Sequence, residues 1–179
     1  MPFLFYRCDA PAGPRGDGRL SSAYSQRLWT PSAGGLLPDG LPFFPFGIWT
    51  AMHHLRVFAN GDYSVLVVYH AGRIVHRSGL FPRYARFPFM TKEDLQIGDV
   101  WTDPDHRNHG LASFALQELV RAKAGQGRRI WYVVEPGNAA SIRTVEKAGF
   151  TLVGQGARTK RCGLSLLGQF VMAPGRTPA

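Results

Sequence analysis

The chain has 179 residues, 45% of them hydrophobic and 12% aromatic, which suits one folded domain with a sizeable core and argues against an intrinsically disordered chain. Its formal charge of +9 at pH 7 favours an anionic ligand, yet the basic residues are dispersed. The densest group, Arg158-Thr159-Lys160-Arg161, is too short for a nucleic-acid arm, so no specific nucleic-acid partner is expected.

No apolar run approaches the roughly 20 residues of a membrane span, and the N-terminus lacks the basic start and apolar stretch of a signal peptide. Cytoplasmic residence is therefore expected. Cys8 and Cys162 have no CxxC spacing, so neither a disulfide scaffold nor a metal site is expected, and both read as buried, reduced thiols.

Residues 1–44 read as an irregular segment packed on the domain. Within it, Phe3 to Arg7 suits an edge strand, and Leu20 to Trp29 carries a weak helical spacing through Leu20, Tyr24 and Leu28. Pro31 to Pro45 reads as an ordered covering loop, because Phe43, Phe44 and Phe46 need burial. The spacing predicts a helix over Phe46 to Phe58 with Ile48, Met52, Leu55 and Phe58 or Val57 on its apolar side, and places His53 and His54 on it as ordinary surface or core residues.

Asn60-Gly61 turns the chain into a hairpin of Tyr63–Tyr69 and Arg73–Phe81 joined by Ala71-Gly72. Pro82 to Met90 reads as a loop, followed by a strand over Leu95–Thr102. Leu111–Lys123 is a predicted helix with its stripe at positions 111, 112, 115, 119 and 122, ended by Gly125 and Gly127. A strand over Arg129–Glu135, a helix over Asn138–Ala148, strands over Thr151–Gly156 and Leu164–Met172, and a frayed tail from Pro174 complete the chain. The order predicts a single domain over residues 1–179 of α/β (α+β) class, a mixed sheet flanked by helices.

Chemistry concentrates between Ile97 and Phe150. A strand leads through a short turn into Arg107-x-x-Gly110-x-Ala112, where a helix begins. Unpaired N–H groups and the positive end of the helix dipole make this an anion site, and Gly110 lets a ligand approach the backbone. No Lys-Ser or Lys-Thr follows, which excludes a P-loop, and the second glycine and downstream acid of a dinucleotide fingerprint are missing.

With Asn138-x-x-Ser141 and Glu146-Lys147-Ala148-Gly149-Phe150 added, the pair of motifs resembles the GNAT superfamily of acyl-coenzyme A-dependent N-acyltransferases over about residues 93–157. The form is most similar to the branch that acetylates protein N-termini and small amines, including amino sugars. The resemblance implies acetyl-coenzyme A (an acyl-CoA) as co-substrate. It places the backbone of Val100, Trp101 and Thr102 along the pantetheine arm, with one N–H polarising the thioester carbonyl, a donor worth about 2.7–4 kcal/mol. It places the pyrophosphate on Asn108, His109, Gly110, Leu111 and Ala112 with help from Arg107, and it sets Asn138 and Ser141 near the pantetheine and the thiol.

Two positions depart from the family. Gln96 stands where many members carry a glutamate base, and Val145 where many carry a tyrosine acid. Asp99, Asp94, Glu93 and His76 are the nearby replacement bases. Asp99 is favoured, because a carboxylate in a largely apolar strand is costly unless it is paired or used. Ser141 is the remaining acid.

Arg73, Arg77, Arg83 and Arg86, with Tyr84, Phe87 and Phe89, suggest an anionic small-molecule amine such as a nucleotide-linked amino sugar. A protein N-terminal or lysine acetyltransferase and a catalytically impaired coenzyme A-binding domain are the alternatives, and a homodimer is left open.

Overall fold

The computed structural model describes residues 2–9, 20–32, 37–123, 127–160 and 168–173. Eight strands form one sheet in the order β2-β3-β4-β5-β6-β1-β7-β8. They are β1 (Pro2–Cys8), β2 (Tyr24–Trp29), β3 (Ser64–His70), β4 (Arg73–Pro82), β5 (Leu95–Thr102), β6 (Ile130–Val134), β7 (Thr151–Arg158) and β8 (Phe170–Met172). Helices α1 (Phe43–His54), α2 (Leu111–Lys123) and α3 (Ala139–Lys147) flank it, with a 3-10 turn at Pro104–His106. Every strand pairing is antiparallel except that of β5 with β6. The mixed sheet flanked by helices is the architecture expected from the order of elements.

Helix burial divides the core between the two faces. On one face, Ala115, Leu116, Leu119 and Val120 of α2 and Val145 of α3 pack on Leu66, Leu80, Leu95, Ile97 and Ile130. On the other, Phe46 of α1 packs with Trp29, Tyr63, Val65, Val67 and Phe81. Strand β3 therefore sends Val65 and Val67 to one face and Leu66 to the other, which is why it reads as an unbroken apolar run. Burying a leucine such as Leu119 is worth about 1.5–3 kcal/mol.

Several local expectations change. Two strands lie within residues 1–44, and β1 is not an edge, because β6 and β7 pair on either side of it. Tyr24–Trp29 is a strand rather than a helix, since pairing with β3 from Tyr24↔His70 to Trp29↔Val65 supplies backbone hydrogen bonds that a weak helical spacing cannot outweigh.

Helix α1 starts at Phe43 and buries Phe46 and Thr50, leaving Ile48 48%, Leu55 76% and both Phe43 and Phe44 72% exposed. In α2, Leu116 and Val120 take the buried places expected of Ala112 and Ala122. Pro82 closes β4, and β7 runs on to Arg158. Ala71 and Gly72 turn the β3–β4 hairpin with φ of 47° and 77°, as a tight two-residue connection requires. Cys8 is buried in the core. Cys162, Gly125, Arg161, residues 10–19 and 33–36 of the expected irregular segment, the first part of the last expected strand and the tail lie outside the described residues.

Candidate active site

A cleft opens where β5 parts from β6. The two strands pair only at Leu95↔Ile130, Gln96↔Trp131 and Ile97↔Tyr132, although β5 continues to Thr102. The cause lies on the other side of β5. Its register with β4 shifts between Arg77↔Trp101 and Gly79↔Gly98, so Asp99 and Val100 both stand opposite Ser78. Asp99 sits in this bulge at φ 48°, a left-handed conformation rare for a residue with a side chain. A bulge bends its strand and increases the twist. The result is a cleft of about 520 Å³, in the size range of small-molecule sites, with Val100, Trp101 and Thr102 on one wall and Tyr132, Asn138 and Ser141 on the other.

The far end of the cleft is built for an anion. Asp103 caps the 3-10 turn by accepting from the Asp105 N–H at 3.0 Å. Asn108 at φ 64° and Gly110 at φ 76° then coil the chain into the first turn of α2. Gly110, Leu111, Ala112 and Ser113 line the cleft, and they lie in the turn where a helix leaves N–H groups unpaired. Arg107, whose Nε donates to the Thr102 carbonyl at 3.4 Å, and Lys147 bring positive charge to the same space. A β-carbon on Gly110 would meet nothing within 4 Å, so the backbone is open to a ligand there. Unpaired strand edge, helix N-terminus and cations together fit the amide arm and pyrophosphate of coenzyme A.

Of the residues singled out from sequence, Val100, Trp101, Thr102, Arg107, Asn108, Gly110, Leu111, Ala112, Asn138 and Ser141 all border this cleft. His109 does not. Its ring stands 6.3 Å from that of His106, which itself lies tilted 4.8 Å from the His70 ring and accepts or donates at Tyr24 Oη, 3.1 Å away. Asn138 is the N-cap of α3, its Oδ1 accepting from the Ser141 N–H at 3.1 Å.

Sequence reasoning passed over Tyr132, which lies in the apolar run of β6 and reads as core. Its ring faces the cleft and its hydroxyl meets the Ser141 side chain. Burial pushes the Tyr132 phenol above its ordinary pKa, opposed by the hydrogen bond with Ser141. His106, Thr144 and Lys147 also border the cleft without having been singled out.

The candidate bases separate by their hydrogen bonds. Asp94 is spent on structure: its carboxylate accepts from the N–H groups of Thr91 and Arg129 and from Trp131 Nε1. His76 is fully buried, with Nδ1 2.8 Å from Thr102 Oγ1 and Nε2 2.8 Å from Ser78 Oγ. Glu93 is exposed, the Gln96 amide donates to the Ile97 carbonyl, and Val145 is core.

Asp99 borders the opposite side of the bulge. Its Oδ2 accepts from Arg77 Nε at 2.9 Å, and the Arg77 guanidinium lies between the rings of Phe46 and Trp101, 5.2 and 5.1 Å from their centroids. Burial pushes the Asp99 carboxyl up from its ordinary range, with Arg77 opposing. The four arginines proposed for an anionic acceptor do not gather. Arg73 and Arg83 bracket the whole of β4, about 33 Å apart at ~3.3 Å per residue, and Arg83 and Tyr84 line a separate 290 Å³ cavity.

Fold and cleft together define an α/β domain with an open strand edge that leads to a helix N-terminus. Residues 37–150 match the acetyltransferase (GNAT) family, and the chain belongs to that family. Among solved structures it resembles a GCN5-related N-acetyltransferase-like protein from Streptococcus suis, at TM-score 0.56 and 17% identity over 86% of this chain and 58% of that one. It also resembles a GCN5-related N-acetyltransferase from Sphaerobacter thermophilus (TM-score 0.58, 17% identity, 86% and 49%). A tandem GNAT protein from the clavulanic acid biosynthesis pathway is similar at TM-score 0.56 and 14% identity over 86% and 51%. The chain spans from 49% to 58% of the length of these structures, and at such identities the likeness is one of fold. No curated protein matches the sequence. Among the described residues no helix is long and apolar enough to cross a membrane.

Proposed function

We propose that the protein is an acyl-coenzyme A-dependent N-acyltransferase that moves an acetyl group to the amine of a small molecule. The observation that carries this reading is the parting of β5 from β6 beyond Ile97↔Tyr132, which leaves a strand edge leading to the N-terminus of α2. In the reaction the acceptor, an ammonium at neutral pH, first gives one proton to a base; the amine nitrogen then attacks the thioester carbonyl, the N–C bond forms, the C–S bond breaks, and the nitrogen loses a second proton that balances the one taken up by the departing thiolate.

Each step has a residue in place. Backbone N–H groups at Val100–Thr102 hold the developing oxyanion, and the α2 N-terminus with Arg107 fixes the pyrophosphate. Asp99 takes the amine proton from the α1 side of the bulge, replacing the glutamate that Gln96 cannot supply. Burial that raises its pKa makes it a stronger base than an exposed carboxylate. On the other wall, Tyr132 with Ser141 donates to the departing sulfur, replacing the hydroxyl that Val145 lacks.

Thiol release from acetyl-coenzyme A across a panel of small amines, amino sugars and peptides tests this. Release with small amines is expected. Release with peptides alone would favour a protein acetyltransferase, and binding of coenzyme A without release to any acceptor would leave a binding domain.

A further inference from the structure

On the α1 side of the bulge lies a group of polar atoms that the cofactor cleft does not use. Thr50 Oγ1 and Tyr63 Oη are buried without a hydrogen-bond partner among the described residues, and so is Nδ1 of His53. Tyr63, one residue ahead of β3, is 0% exposed and Thr50 on α1 is 2% exposed. Native proteins rarely leave buried hydroxyls unpaired, and those that remain mark a place where a water or a ligand completes the set.

The surroundings indicate which guest. Burial and then the negative charge of Asp99 raise the Tyr63 phenol, while the Thr50 hydroxyl beside it acts in the opposite direction. Phe81 lies 5.5 Å from Tyr63 and Trp49 4.7 Å from Phe81, ring centre to ring centre, while Arg77 is already held by Asp99. Asp99 and Arg77 keep side-chain exposures of 25% and 19%, so the rim is open to solvent.

We propose that Asp99, Tyr63 and Thr50 form the amine end of the acceptor site, and that the acceptor is a primary amine with an apolar or aromatic body. An ammonium group carries three N–H donors, and this corner offers three acceptor sites: one carboxylate and two hydroxyl oxygens. The aromatic faces favour a cation and an apolar body. A phosphorylated acceptor would meet Asp99 and an arginine that Asp99 already neutralises. The proposal rests on the acyl-transfer reading for its biological meaning, but the site itself is testable by binding alone.

The test titrates phenethylamine and glucosamine 6-phosphate into the full chain saturated with coenzyme A, by calorimetry, for wild type, Tyr63→Phe and Thr50→Val. Both substitutions keep shape and remove an orphan hydroxyl, so a purely structural role predicts an equal or higher Tm and unchanged binding. The expected result is phenethylamine binding at least tenfold tighter than glucosamine 6-phosphate, weakened tenfold or more in each variant, with Tm equal or higher and coenzyme A affinity unchanged. Wild-type binding in both variants, tighter binding of the phosphorylated amine, or no phenethylamine binding would overturn the proposal. Phenethylamine bound as expected with no thiol release from acetyl-coenzyme A would support this site while overturning the transfer reaction.

Discussion

Lowering the pH from 7 to 4 charges a histidine that the fold holds neutral. His76 is 0% exposed, and each ring nitrogen is 2.8 Å from a hydroxyl, Thr102 on one side and Ser78 on the other. A neutral ring donates at one nitrogen and accepts at the other. A charged ring donates at both, which forces one hydroxyl to reverse and leaves a buried charge beside Arg77. Burial, then Arg77, lowers its pKa from 6.5 to about 4.

Between those values the unfolded chain holds the proton and the folded chain does not, so stability falls as the pH falls. The contribution is complete above about 6.5 and gone below about 4, and at ~1.4 kcal/mol per unit it amounts to about 3 kcal/mol. That is a large share of the roughly 5–15 kcal/mol of a typical domain. Thr102 borders the cofactor cleft, so the same protonation disturbs the strand on which the thioester would lie.

Urea unfolding at pH 7, 6, 5 and 4.5 measures the loss in wild type and in His76→Gln. His53, whose pKa burial and His54 lower, shares the direction, and Asp99 opposes it, so the difference between the two proteins isolates His76. His76→Gln is expected to be less stable at pH 7 by about 1–3 kcal/mol from imperfect bonds to the two hydroxyls, with a much shallower pH slope. Parallel slopes in the two proteins would refute the reasoning.

Three further outcomes are expected. Gly110→Ala places a β-carbon in open space at a φ of 76°, so stability should fall by about 1–2 kcal/mol from the left-handed backbone while the Kd for acetyl-coenzyme A rises tenfold or more. Unchanged affinity by calorimetry would sink the pyrophosphate placement. Tyr132→Phe should lower kcat by about 10²-fold with little change in KM for acetyl-coenzyme A, and an unaltered kcat would mean the thiolate leaves unaided. Asp62 holds Lys123 Nζ at 2.9 Å and Arg128 Nη2 at 2.8 Å, and these cations outweigh burial to keep its pKa low. Asp62→Asn should cost about 1 kcal/mol above pH 4, an effect that shrinks in 1 M salt and vanishes as the wild-type carboxylate protonates.

What could be read from sequence followed from local pattern. Leu95–Thr102 and Leu111–Lys123 match β5 and α2 end to end, because a run of apolar residues and a helix-opening glycine mark those boundaries within a few positions. Non-local facts were not legible. β2 is solvent-exposed along most of its length, so it carries no alternation, and only its pairing with β3 makes it a strand. The sequence of β1 reads as a strand, yet its place between β6 and β7 depends on residues about 130 and 150 positions away.

The site divides in the same way. Gly110 and Asn138 announce a loop and a cap, while Tyr132 is buried at the last β5–β6 pair, and only the cleft that opens beyond that pair tells it from the rest of the core. The oddity of a carboxylate at Asp99 was visible, but its left-handed backbone was not, since no glycine occupies that position.

That one position explains how the two halves of the proposed reaction can meet. In a regular strand the faces alternate, so residues next to each other point to opposite sides of the sheet, and a cofactor under one face would be screened from an acceptor over the other. The bulge interrupts that alternation at Asp99 and Val100. Val100, Trp101 and Thr102 then all border the cleft, while the Trp101 ring still covers Arg77 on the α1 side. The same irregularity turns β5 away from β6, and it sets Asp99 at the passage between the faces. Regularising the strand by deleting Asp99 should therefore close the cleft as well as remove the base. Asp99→Asn should remove the base alone, leaving coenzyme A affinity intact while kcat falls. Equal losses of coenzyme A binding in the two variants would show that the carboxylate, and not the extra residue, holds the strands apart.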